Sequence, residues 1–322
     1  MTHKYGFGKL DYKILYELEK NAKIPLQMLA KKTGMSKQLA SYKLKKFEEQ
    51  KIILNYTVLI DSSRLGYCHY RIYLRFRNLS ISDRENIFKF FSSISETILV
   101  SGIDGYWDSG IIVAVRKVSE FRKVWSKIAR FRQNIEDYKI STYSPVHYFT
   151  RTLISDLGSG EIPKIMTLGG NDEVKHDLLD VELLKEISKN ARKPITEIAK
   201  KLKTTPGIIR RRIKNLEHTG IIQGYRPFLN WNKLGYSYYK VDLKLNSYEK
   251  NKRIFSFCHL HPNIIQVDET IGGSDFEFEI FAKSKEKFLE IINEMQNKFS
   301  DVMESYTYFI ISQPHKETFM SF

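Results

Sequence analysis

Cysteine is nearly absent: Cys68 and Cys258 are the only two in 322 residues. Two thiols exclude a disulfide scaffold and any zinc module built on several cysteines, and they fit a reducing, cytoplasmic setting. No stretch approaches eighteen consecutive apolar residues, which excludes a transmembrane helix. The first residues, MTHKYGFGKLDYK, lack the apolar core of a secretory signal. No Walker motif or G-x-G-x-x-G occurs, and no Ser-His-Asp grouping can be argued from spacing. Cys258, His259 and His261 sit together in CHLHPN. A metal needs three or four converging ligands, and on a helix 259 leaves the face shared by 258 and 261, so helix-end packing explains them better. Nothing here calls for a cofactor, a metal or a catalytic residue. Acidic residues are the minority, 37 against 52 Lys and Arg, giving a net charge of +15. That surplus favours a polyanionic partner.

What the chain does have is length, apolar content and a repeat. At 42% hydrophobic it has material for two or more cored domains. Residues 8–66 lie over 177–235 without a gap at an offset of 169, with 18 identities in 59 positions. Lys20-Asn21-Ala22 falls on Lys189-Asn190-Ala191, Pro25 on Pro194, and Ala30-Lys31-Lys32 on Ala199-Lys200-Lys201. Ile52-Ile53, Tyr56 and Leu65-Gly66 fall on Ile221-Ile222, Tyr225 and Leu234-Gly235. The match continues more weakly at an offset of 167. Each copy has two parts. Between the copies, residues 156–176 are rich in Gly and turn formers and read as a linker. The first part is basic in both copies, 12 cations to 6 anions and 13 to 6. The second part changes sign, 14 to 9 over residues 67–160 but 10 to 13 over 236–322. A polyanion meeting only the first part accounts for this.

The first part reads as a helix-turn-helix. Leu10, Ile14, Leu15 and Leu18 recur at helical spacing, as do Leu179, Leu183, Leu184 and Ile187. Pro25 and Pro194 suit the start of a short second helix, and Gly34 suits a left-handed stop. Lys203 stands at that stop in the second copy, so its turn is strained or differently shaped. Ser36 and Thr205 are N-caps for a third helix. Its inner face is Ala40, Leu44 and Phe47, or Ile209, Ile213 and Leu216. Its outer face offers Lys37, Gln38, Ser41, Tyr42 and Lys45 in one copy, and Gly207, Arg210, Arg211 and Lys214 in the other. Those are donors and cations that base edges and phosphates accept. A basic helical face is often only solvated, but here it occurs twice behind the same short helix and turn. The segments 52–57 and 221–226 read as short β-ribbons, either a wing beside DNA or a lead into the next domain.

The second part reads as βαββαβ. In the first strand Cys68, Tyr70, Ile72, Leu74 and Phe76 alternate with His69, Arg71, Tyr73 and Arg75. Elements are predicted at 83–94, 97–102, 109–116, 119–130 and 138–143, and in the second copy at 238–245, 248–260, 264–271, 276–283, 285–298 and 305–311. This is the ferredoxin-like arrangement, with one open sheet face whose aromatics invite a second sheet. The middle strands are joined by GYWD and GGSD. Glycine lends backbone freedom there, and the aspartate can cap the turn or accept an amine.

Both halves resemble the Lrp/AsnC (feast/famine) family of prokaryotic regulators, through residues 10–53 with GYWD and residues 179–222 with GGSDFEFEI. The resemblance implies a winged helix-turn-helix followed by a ferredoxin-like sensor, dimerising through the sensors. This chain then looks like a tandem fusion with an α+β fold: helix-turn-helix domains at 1–60 and 177–229, sensors at 61–155 and 230–322, and the linker at 156–176. The sensor sheets should pack as an internal pseudo-dimer, and higher homo-oligomers follow by resemblance. The expected partner is double-stranded DNA, with Ser36, Lys37, Gln38, Ser41, Tyr42, Lys45, Thr205, Gly207, Arg210, Arg211 and Lys214 at the interface. An amino-acid or small-metabolite effector is expected at Gly105, Tyr106, Asp108, Gly272, Gly273 and Asp275. The second copy is the roomier, because Gly273 and Ser274 replace Tyr106 and Trp107. A related branch of the same architecture decarboxylates sirohaem and carries H-x-Y-N-L-W near its middle strands. The corresponding stretches here hold no histidine. That enzyme and a charge-driven architectural DNA binder are the alternatives to a sequence-specific regulator.

Overall fold

Ile14, Leu15 and Leu18 are fully buried on α1 (Lys9–Lys20), as their spacing requires. A computed structural model describes residues 7–154, 161–247, 251–312 and 314–320. Helices α2 (Leu26–Thr33) and α3 (Lys37–Glu49) complete the first helix-turn-helix. Strand β1 (Ile53–Ile60) leads to the first sensor: β2 (Cys68–Phe76), α4 (Ile81–Ser93), β3 (Thr97–Asp104), β4 (Ser109–Val115), α5 (Val118–Ile128) and β5 (Ile135–Phe149). After β6 (Ile165–Leu168) the second copy repeats the order. It has α6 (Leu178–Lys189), α7 (Ile195–Lys201), α8 (Pro206–His218) and β7 (Ile222–Leu229). Its sensor is β8 (Ser237–Leu245), α9 (Asn251–Leu260), β9 (Ile264–Ile271), β10 (Phe276–Ala282), α10 (Lys285–Lys298) and β11 (Met303–Ile311). A two-residue β12 (Lys316–Glu317) follows. The start of the helix expected at 248–260 lies outside the described residues before 251.

The turn before the third helix has one shape in both copies. Gly34 has φ +71° and Lys203 has φ +50°, so the second copy keeps the left-handed turn with a residue that carries a Cβ.

Both sensors have the ferredoxin-like strand order, β5-β2-β4-β3 and β11-β8-β10-β9. Their helices cover the outer faces over two cores, one around Phe91, Val113 and Val124 and the other around Phe278, Phe288 and Met295. The sheets do more than stack. β5 pairs antiparallel with β9, and the end of β3 pairs with β11 through Ile103 and Ile311, so eight strands close into one ring. Neither sensor is left with a bare edge on those sides.

Three expectations change. The ribbons at 52–57 and 221–226 are neither wings nor plain leads: β1 and β7 pair with each other, from Ile53↔Leu229 to Ile60↔Ile222. Backbone amides reinforce this exchange, because Ala22 N–H donates to Tyr225 O at 2.9 Å and Ala191 N–H to Tyr56 O at 2.8 Å. Residues of both helix-turn-helix units therefore share one core. Residues 156–176 are not free chain where described: β6 pairs with β5. Beyond it, the fully buried carboxylate of Asp61 accepts from Gly169 N–H (2.9 Å) and Asn171 Nδ2 (2.8 Å). Finally, the facing sheet surfaces are not held by aromatics alone, since Arg71, Lys240, Asp268, Glu277 and Glu279 are all buried between them.

Candidate nucleic-acid interface and sensor turns

Each third helix is fastened to its domain on one side only. Ala40, Leu44 and Phe47 are buried on α3, and Ile209, Ile213 and Leu216 on α8. Ion pairs then fix the angle to the first helix. Lys43 Nζ lies 2.5 Å from Asp11, and its equivalent Arg212 lies 2.8 Å from both Asp177 and Asp180. The far ends are tied alike: Tyr56 donates to Glu48 and Tyr225 to Glu217, each at 2.6 Å.

The stripe left over is the expected one. Lys37, Gln38, Ser41, Tyr42 and Lys45 are exposed on α3, and Gly207, Arg210, Arg211 and Lys214 on α8. Lys45 has a loose partner in Glu49 at 3.6 Å. Tyr42 presents 62% of its surface to solvent, a large apolar ring with no packing role to explain it. Ser36 and Thr205 spend their hydroxyls as caps, accepting from Leu39 N–H (3.1 Å) and Ile208 N–H (3.3 Å). They set the start of each helix.

The sensor turns are built on a different logic. Asp108 accepts from Phe76 N–H at 2.8 Å and Asp275 from Leu245 N–H at 2.9 Å, so both carboxylates cap the end of a neighbouring strand. Asp108 also meets Arg84 at 3.1 Å. The glycines answer to the opposite copy. A Cβ on Gly105 would come within 2.8 Å of Phe309 Cβ, and one on Gly272 within 3.1 Å of Ile140 O. Trp107 stacks on Tyr73 with ring centres 5.8 Å apart. Tyr106 is exposed and donates to Asp137 at 3.1 Å. Gly273 lies beside Thr270 and Glu277, where a Cβ would be only 1.9 and 2.3 Å from their oxygens. The six residues named for an effector thus fall at two equivalent turns, with their aspartates already hydrogen-bonded.

Spacing did not reveal the interior of the ring. Arg71 and Lys240, equivalent residues of β2 and β8, meet Glu277 and Asp268 there. Beside them a cavity of about 120 Å³ opens between the copies. Arg151 and Arg226 line it, and neither position carries arginine in the other copy's repeat: Arg226 falls on Thr57. The only signal was the polar alternation of β2 and β8. Cys258 is buried in the second sensor core and His259 donates to Pro163 O at 2.6 Å.

Comparison with known proteins follows this division. A family model for winged helix-turn-helix DNA-binding domains matches residues 8–53 and again 176–223. The HTH-type transcriptional regulator LrpA of Pyrococcus horikoshii is 51% identical over 61 residues, 19% of this chain and 43% of that protein, so the matched segment spans less than half of LrpA. LrpC of Bacillus subtilis, also an HTH-type transcriptional regulator, is 28% identical over 143 residues, 44% of this chain and 94% of LrpC. Among solved structures, the sirohaem decarboxylase NirDL covers 98% of this chain and 94% of its own at a TM-score of 0.62, with 13% identity. That likeness establishes a shared two-copy fold.

Proposed function

We propose that the chain is a regulator of the Lrp/AsnC family that carries the unit of that family twice, binds double-stranded DNA and regulates transcription. One observation carries the reading. The exposed cationic stripe on α3 recurs on α8, each behind the same turn and each braced by an equivalent ion pair. A helix-turn-helix offers this outer face of its last helix to the major groove. The β1–β7 pair couples the two helix-turn-helix units, so both address one site. Their outer residues differ, and the two half-sites differ accordingly. An amino-acid or small-metabolite effector and higher homo-oligomers belong to the reading by family. No helix among the described residues is long and apolar enough to cross a membrane, and a cytoplasmic place goes with the DNA target.

Gel-shift titration of the chain's own upstream region against a scrambled fragment, at two salt concentrations, tests this. A regulator prefers the cognate fragment. A charge-driven architectural binder shows only the salt slope.

The whole-chain likeness to a sirohaem decarboxylase keeps a second reading in view. Against it, no histidine is among the described residues lining the cavity between the copies. Sirohaem added to the protein should keep its absorption spectrum; a decarboxylase would change it.

A further inference from the structure

The cavity inside the strand ring has two unusual walls. One is apolar and aromatic, with Trp231 stacked on Phe281 at 4.1 Å between ring centres and Phe228 and Ile265 nearby. The other is cationic. Arg226 is 4% exposed and its guanidinium lies over the Tyr148 ring at 5.0 Å, yet its Nη1 has no hydrogen-bond partner. Arg151 is 7% exposed, 4.8 Å above Trp231, with an unpartnered Nε and a long contact to Glu19 at 3.6 Å. Buried guanidinium groups left short of acceptors are costly unless something supplies them.

We propose that this cavity binds a small organic carboxylate with an apolar or aromatic body, its carboxylate held by Arg226 and Arg151. The fork of a guanidinium matches two carboxylate oxygens, and the aromatic wall takes the rest of the molecule. A phosphate would set its remaining oxygens against the rings of Trp231 and Phe281, an apolar wall that makes their desolvation costly. Two carboxyls also line the cavity and restrict the ligand. Glu279 accepts from Tyr238 and lies 3.8 Å from Lys240, while Glu317 on β12 shares the field of Arg226 and Arg151 without an ion-pair contact to either, so a bound carboxylate competes with it for the two arginines. Among the described residues the equivalent place on the other side of the pseudo-dimer is occupied by a side chain. Gly110 lines the cavity, and the equivalent residue in the second copy is Glu277, which fills its place with an ion pair to Arg71. One ligand per chain follows. This site is separate from the sensor turns and does not depend on DNA binding.

Calorimetry of the full chain with benzoate, benzamide and inorganic phosphate tests the assignment without any substitution. Benzoate should bind at one site per chain, with benzamide and phosphate at least tenfold weaker. Arg226→Gln should weaken benzoate at least tenfold, and Arg226→Lys, which keeps the charge but loses the fork, should fall between. A folded melting curve for both variants accompanies the titration. If Arg226→Gln fails to fold, Arg151→Gln serves in its place, with the same tenfold loss expected. Equal binding of benzamide and benzoate, tighter binding of phosphate, no binding of benzoate, or an unchanged affinity in a folded variant would each overturn the proposal.

Discussion

Arg71 of the first copy grips Glu277 of the second with both Nη atoms, Nη2 to Oε1 at 2.8 Å, and both residues are sealed between the sheets. The guanidinium also lies 4.6 Å from the Tyr73 ring and 5.2 Å from that of Tyr143. Loss of one partner strands a buried charge. Arg71→Met should destabilise the chain by about 3 kcal/mol, the low end for such pairs, because Lys240 stays 3.1 Å from Glu277. The double variant Arg71→Met/Glu277→Leu should regain part of the loss. Denaturant midpoints read both, and a neutral single variant would contradict the pairing.

The same cluster makes stability depend on pH. Burial, with Asp268 beside it, pushes the Glu279 carboxyl up to about 7 from 4.5. Between those values the folded chain holds a proton that the unfolded chain releases. The contribution is therefore present at low pH and lost as pH rises toward 7. His69 runs the other way, since burial lowers it to about 4 from 6.5, and its contribution grows as pH rises through that window. Comparing wild type with Glu279→Gln isolates the first slope. The variant should gain stability relative to wild type as pH goes from 5 to 8, and parallel curves would remove Glu279 as the cause.

At the DNA face, Arg210→Ala or Arg211→Ala should cost about 1–3 kcal/mol of binding if either reads a guanine. A cation that meets only phosphate should instead lower the salt slope by about one. Binding that both single variants leave untouched would exclude the second copy from the interface.

Lys203 occupies a left-handed turn that glycine occupies in the first copy. Lys203→Gly removes a strain of about 1–2 kcal/mol, offset in part by the greater freedom of an unfolded glycine. A rise in thermal midpoint of a few degrees is expected, with the reverse change, Gly34→Lys, lowering it.

Much of the fold was legible because its signals are local. The repeat, the caps at Ser36 and Thr205, the apolar stripe of α3 and the alternation of β2 each lie within a few residues, and the strand at 264–271 came out to the residue. What remained hidden depends on distant partners. Ile103 finds Ile311, Asn171 finds Asp61, and Arg71 finds Glu277 across 206 residues. The alternation of β2 marked Arg71 as pointing away from the helices, but only the acidic β10 opposite makes that direction an interior. For the same reason the glycines at 105 and 272 read as turn formers, while the tighter demand on them comes from the other copy's last strand. Arg226 breaks the repeat at Thr57 and gave no sign that its side chain would border a cavity.

Both halves of the ring are one polypeptide, and this changes how the molecule answers to dosage and to time. Two separate chains must find each other, so their paired form fades as a cell dilutes them. Here each sheet meets its mate within one chain, so their pairing does not depend on concentration. On the reading proposed above, both third helices are therefore present in every folded molecule however scarce it becomes. Covalent joining also frees the halves from matching themselves. A residue in a self-paired chain faces its own copy's choices, whereas Arg71 could settle against Glu277 while the equivalent Lys240 drew on Asp268 and Gly110 left a hollow. A homodimer, whose two sides are one sequence, has no such freedom.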